Sequence, residues 1–181
     1  MRCVSPRAAL ALSSLILTAA ALPGEQGGAD PASTPAPGPC SAPENRQFDF
    51  WVGDWNVLDP QGQQVGTNDI QSILGGCVVY ENWSGGGLSG KSFNIWDAAA
   101  KKWRQSWVDD RGRVLLLEGE FKDGKMVLEG RRPAPQGGTA LDRITWNRIG
   151  DSNRVRQLWE ASRDGGRSWK VLFDGTYVHK R

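Results

Sequence analysis

The stretch Phe93-Asn94-Ile95-Trp96-Asp97-Ala98-Ala99-Ala100-Lys101-Lys102-Trp103-Arg104-Gln105-Ser106-Trp107 admits two readings, and the choice between them decides the fold. Phe93, Trp96, Ala100, Trp103 and Trp107 recur at spacings of three and four, the period of an amphipathic helix. Yet Trp103, Gln105 and Trp107 alternate with Lys102, Arg104 and Ser106, the period of a strand, and Asp97 to Lys101 supplies a turn between two aromatic runs. The strand reading prevails because the pattern recurs along the chain. Val155, Gln157, Trp159 and Ala161 oppose Arg154, Arg156 and Glu160, while Trp169, Val171 and Phe173 oppose Ser168, Lys170 and Asp174. Turn signals punctuate the chain at short intervals, among them Asp59-Pro60-Gln61-Gly62, Gly75-Gly76, Gly85-Gly86-Gly87, Asp110-Arg111-Gly112 and Asp123-Gly124. About ten such runs predict an all-β, antiparallel up-and-down meander. A meander of that length removes its unpaired edges by closing into a barrel.

Upstream, Phe48-Asp49-Phe50-Trp51-Val52-Gly53-Asp54-Trp55 is the first stretch able to pack a core. It is read as a short N-terminal plug followed by the first strand, with Gly53 permitting the bend. Gly53-Asp54-Trp55 has the G-x-W form with which lipocalin-like barrels open. That likeness implies a Trp across the closed end with a cationic side chain of the last strand stacked on it, here Lys180 or Arg181. FDFWVGDWNV, GGCVVYENW, WRQSWVD, RITW and RQLWEASRDGGRSW together resemble a family of exported bacterial proteins of unknown function, over residues 44–178. The resemblance implies a lipocalin-like barrel and carries over no activity, cofactor or catalytic residue.

Residues 1–21 have the form of a secretory signal. Arg2 and Arg7 precede the apolar run Ala8 to Leu17, and Ala19-Ala20-Ala21 offers a cleavage site. The Pro-, Gly-, Ala- and Ser-rich residues 22–43 read as a flexible tether, because they bury too little apolar surface to offset ordering entropy. Residues 44–181 form the expected barrel domain. No stretch is long and apolar enough to predict a membrane span, so the expected product is exported, periplasmic or secreted. Loss of Arg2 and Arg7 lowers the basic residues from 22 to 20, equal to the 20 acidic ones. A balanced chain without a basic run argues against a nucleic-acid partner. Cys3 leaves with the leader, and Cys40 and Cys77 are expected to form one disulfide in an oxidising compartment, two separate buried thiols being the alternative.

Several motifs carry the form of chemistry without its context. Gly85-Gly86-Gly87-Leu88-Ser89-Gly90-Lys91-Ser92 satisfies the phosphate-loop pattern letter for letter, but that loop needs a following helix and a parallel sheet. The glycines are read instead as a hairpin end or a rim loop. Ser162-Arg163-Asp164-Gly165-Gly166-Arg167-Ser168-Trp169 has the form of an Asp-box, whose Asp side chain closes a hairpin turn. His179 is the sole histidine, so a zinc site has too few ligands; no cofactor is expected, with a haem-binding barrel through His179 as an alternative.

The remaining signal is polar residues set among aromatic ones on single strand faces. Gln105 lies between Trp103 and Trp107, Gln157 two residues before Trp159, and Glu81 two before Trp83. If these faces point inward, the lumen offers hydrogen-bonding groups among aromatic walls, as small-molecule pockets do. Gln105, Trp107, Gln157 and Trp159 are the expected lining residues, with Glu81 and Arg143 as further polar contacts. The competing reading is a filled core of mutually satisfied polar groups. An enzyme would use Glu81 or Glu118 as a buried acid or base, and a cell-envelope interaction module would show an exposed aromatic patch.

Overall fold

Ten antiparallel strands follow one another around the computed structural model, which describes residues 38–134 and 137–181. They are β1 (Gly53–Leu58), β2 (Gln64–Ile73), β3 (Val78–Gly85), β4 (Leu88–Asp97), β5 (Lys102–Asp109), β6 (Val114–Lys122), β7 (Lys125–Pro133), β8 (Thr139–Arg148), β9 (Val155–Ser162) and β10 (Lys170–His179). Each pairs with its neighbours in sequence, and β10 returns to β1 to close the barrel. The expected all-β meander is thus the observed fold. The expected leader lies outside the described residues, as does the tether up to residue 37. Residues 38–43 belong to the domain, since Cys40 is bonded to Cys77 and Pro43 opens the first 3-10 turn, Pro43–Arg46.

Local chemistry explains the tight connections. Gly86-Gly87 joins β3 to β4 and Asp123-Gly124 joins β6 to β7, all four residues with φ between 51° and 75°. Left-handed conformation at both central positions matches the twist of a hairpin, and these are the residue types that tolerate it. The phosphate-loop look-alike is therefore a hairpin running into a strand. Gly90 and Ser92 face inward, whereas Lys91 points outward to Asn82.

Alternation then sorts the barrel. The face bearing Trp103 and Gln105 points inward, as does the face bearing Val155 and Gln157. The alternation expected from Trp169 through Phe173 fails, because a bulge between Val171 and Phe173 inserts Leu172. Val171 is consequently 53% exposed while Phe173 packs against the core.

One end of the barrel is shut. Phe48, the residue capping the 3-10 turn Asp49–Trp51, and Trp51 within that turn enter it, both fully buried; the first 3-10 turn, Pro43–Arg46, precedes them. Phe48 stacks on Trp51 at 5.0 Å and meets Trp103 and Trp146 edge-on at 5.6 and 5.2 Å. Two of the indoles are hydrogen-bonded as well as packed, Trp55 Nε1 donating to Trp51 O at 2.9 Å and Trp103 Nε1 to Gln47 Oε1 at 3.0 Å, whereas Trp51 Nε1 and Trp146 Nε1 are buried without an acceptor among the described residues. The side chain lying on Trp55 is neither Lys180 nor Arg181 but His179, stacked at 3.8 Å. Register accounts for the difference. His179 is the β10 partner of Trp55, and Lys180, one residue on, reaches outward to Asp54 at 2.5 Å.

Candidate functional site

Above the aromatic plug, inward-facing polar residues from six strands form a connected layer. Asn68 on β2 donates to Glu81 Oε1 at 2.8 Å and to the Tyr177 hydroxyl at 3.2 Å. Ser92 on β4 donates to Glu81 Oε2 at 2.6 Å. Asn94 donates to Val79 O and to Ser92 Oγ, and Gln105 to Asn94 Oδ1 at 2.9 Å. Tyr177 closes the chain by donating to Gln157 Oε1. Such a layer is held by the bonds its members make to one another in a low-dielectric interior, with Asn68 Oδ1 the one buried acceptor of the layer left without a partner among the described residues.

On the far side of this layer the lumen is open, with a cavity of about 300 Å³, at the small end of the range for small-molecule pockets. Glu81, Gln157 and Tyr177 face it from the floor; Trp83, Trp107, Trp159, Leu115, Ile144 and Phe173 form its walls. Its mouth is bounded by Gly85, Gly86 and Leu88 of one hairpin and Arg111 of the next. The two hairpins are tied together. Asp110 N donates to Ser89 O and Ser89 N to Asp110 Oδ2, both at 2.9 Å, and Arg111 Nη2 donates to Gly87 O at 3.1 Å.

Large aromatic residues would normally fill a lumen this narrow. Here they lie along the wall, because inward positions beside them are glycine. A Cβ on Gly90 would stand 2.0 Å from Trp107 Cζ2, one on Gly66 2.6 Å from Trp83 Cη2, and one on Gly175 2.6 Å from Phe173 Cε1. Each ring occupies the space a neighbouring side chain would have taken, and the centre stays open. Trp159 is held differently, its Nε1 donating at 2.8 Å to Asp142, whose buried carboxylate lies 2.7 Å from Arg132 Nε.

Trp107, Gln157, Trp159 and Glu81 therefore meet at one cavity. Gln105 does not line it: its register partner is Asn94, one inward layer closer to the plug than the Trp107–Ser92 pair, and it is buried in the polar layer instead. Arg143 is a correction too. On β8 the inward residues are Asp142, Ile144 and Trp146, so Arg143 faces outward, paired with Glu129 at 2.6 Å and stacked over Trp169 at 3.9 Å. Glu118 also faces outward, between Lys102 and Arg104. His179 stacks on Trp55 at the plugged end and is not among the residues lining the cavity. The Asp-box closes the β9–β10 hairpin: Asp164 accepts from Ser168 N and Oγ and from Ser162 Oγ, bonds that hold its carboxyl far below the usual range. Exposed apolar side chains include Phe93, Ile95, Val108, Val114 and Leu116 on the outer wall of β4 to β6, Leu74 between β2 and β3, and Val171 and Leu172 on β10.

Sequence reasoning missed Asn68, Ser92 and Tyr177. Asn68 lies in a strand without aromatic residues, and on β4 the outward Phe93 and the inward Trp96 leave the face of Ser92 undeclared. Tyr177 follows the bulge that breaks the alternation of β10.

Burial pushes the Glu81 carboxyl up to about 7, against the stabilising hydrogen bonds of Ser92 and Asn68. Burial, and then the neighbouring charge of Glu81, raises the Tyr177 hydroxyl well above its ordinary value. The consequence for stability has a definite sign. The unfolded carboxyl titrates near its ordinary 4.5 and the folded one near 7, so between these values the folded state binds more protons. Glu81 thus withdraws stability as pH rises from about 4.5 to about 7, by roughly 3 kcal/mol in total. Denaturant midpoints of the wild type and Glu81→Gln, measured across this window, are expected to diverge, with the variant gaining on the wild type as pH rises. Parallel curves would mean that Glu81 keeps an ordinary pKa.

No protein-family model matches the chain, and no curated protein matches it. Among the described residues, no helix is long and apolar enough to cross a membrane.

Proposed function

We propose that this protein belongs with the exported barrels it resembles and carries a small, partly apolar molecule in the open end of its lumen. The observation that carries this reading is the glycine-backed arrangement of Trp83, Trp107 and Phe173, which keeps about 300 Å³ clear above a hydrogen-bonded polar floor. A barrel evolved only for stability gains by filling such a space, since unfilled volume forfeits dispersion contacts. The Cys40–Cys77 disulfide supports an exported setting.

The reading is tested with the neutral fluorophore N-phenylnaphthylamine. The wild type is expected to bind one molecule, with tryptophan emission quenched as the dye emission rises. In Gly90→Ala the new methyl displaces the Trp107 ring into the cavity, and affinity is expected to fall at least about tenfold. Absence of dye binding in the wild type, or equal binding by the variant, overturns the assignment.

A further inference from the structure

We propose that the cavity selects a small organic amine or quaternary ammonium compound with an apolar body, its cationic head seated on Glu81 between the aromatic walls. This rests on the carrier reading above and specifies its ligand.

Glu81 is the only acidic residue among those lining the cavity, and Arg111 the only basic one. They lie at opposite depths. Glu81 is 4% exposed on the floor, while Arg111 is exposed at the mouth with its guanidinium engaged on Gly87 O. A charge deep in a low-dielectric lumen acts far more strongly than one at a screened rim. The interior therefore repels an anionic head and attracts a cationic one. The carboxylate is also positioned to receive it: Asn68 and Ser92 each donate to a different oxygen, fixing the group while leaving each oxygen capacity for one further bond. Tyr177 is the one other titratable side chain at the floor, and its hydroxyl proton is committed to Gln157.

The walls match the same head group. Trp83, Trp107, Trp159 and Phe173 surround the space above Glu81, with Trp83 and Phe173 edge-to-face at 5.7 Å. Indole and phenyl faces attract cations, increasingly so where water is excluded, and quaternary ammonium groups are recognised by clusters of this kind. A buried carboxylate lacking a cationic partner carries a desolvation cost, and a bound ammonium offsets it. Leu115, Ile144 and Leu172 complete the lining and suit the apolar body.

Three probes sharing a phenyl ring and two-carbon linker separate the alternatives: phenethylamine, phenethyl alcohol and hydrocinnamate, titrated by tryptophan fluorescence at about pH 8, where the Glu81 carboxyl is mostly ionised. The amine is expected to bind at least about tenfold more tightly than the alcohol, and the acid more weakly than both. Glu81→Gln is expected to abolish the amine's advantage while retaining alcohol binding, which also shows that the variant is folded. On the wild type, amine affinity is expected to rise with pH through about 7 while alcohol affinity stays flat. Equal binding of amine and alcohol by the wild type overturns the inference and leaves the carrier reading intact. So does preference for the acid, which would assign recognition to Arg111. An amine preference that survives Glu81→Gln also overturns it. Failure of all three probes, with N-phenylnaphthylamine also unbound, removes both.

Discussion

Phe48→Ala is expected to lower the unfolding free energy by about 3–5 kcal/mol, the range for truncating a fully buried aromatic residue. Phe48 precedes the first strand by five positions and belongs to no strand, so a barrel viewed as a closed sheet alone would assign it little importance. The contacts say otherwise. Its ring is fully buried, stacked on Trp51 and met edge-on by Trp103 from β5 and Trp146 from β8. These four rings close one end of the lumen. Removing the central one leaves a cavity bounded by large side chains that lack room to collapse, the circumstance in which truncation costs most. Leu116→Ala is the matched control. Leu116 is 60% exposed on the outer wall, and its loss is expected to change stability by no more than about 0.5 kcal/mol. Chemical denaturation of both variants decides the matter; comparable midpoints would show that the plug is an appendage and not part of the core.

The fold was legible because period-two alternation and turn chemistry act locally. Trp103, Gln105 and Trp107 share a face by geometry alone, and Asp123-Gly124 forms a tight hairpin wherever it occurs between strands. The plug was legible for the same reason, as an aromatic cluster too dense to leave in water. The site was legible only in part, because it depends on properties alternation does not encode. Face does not specify depth: Gln105 and Trp107 both point inward, yet only Trp107 reaches the cavity. Arg143 shows the reverse failure, since RITW reads equally well in either phase until neighbouring strands fix which side is core. The glycines that hold the lumen open look like loop punctuation in sequence. Only pairing reveals that Gly90 faces inward beneath the Trp107 ring.

Removing the Cys40–Cys77 bond is the second large effect, expected to cost roughly 4 kcal/mol by the loop-closure estimate for cysteines 37 residues apart. The bond does more than shorten the unfolded chain. Cys77 immediately precedes β3, so the disulfide ties the segment leading into the plug to the connection between β2 and β3. Nearby, the Arg46 guanidinium donates to Gly76 O and lies 3.4 Å from Asp49, joining the two 3-10 turns to the same connection. These polar contacts are exposed and contribute little alone, which leaves the covalent link and the buried aromatic cluster, with its indole bonds to Gln47 and Trp51 O, as the main attachments of the plug. A Cys40→Ala, Cys77→Ala double variant therefore has two expected signatures. Its denaturant midpoint falls by an amount equivalent to about 4 kcal/mol. Hydrogen exchange also accelerates first at the Trp51 and Val52 amides, whose bonds to Phe48 O and Asp49 O hold the second turn together, while amides of β4 to β8 change only with global stability. Uniform acceleration would confine the disulfide's effect to the unfolded chain. An unchanged midpoint would place the whole anchoring of the plug on Phe48, Trp51 and their aromatic neighbours.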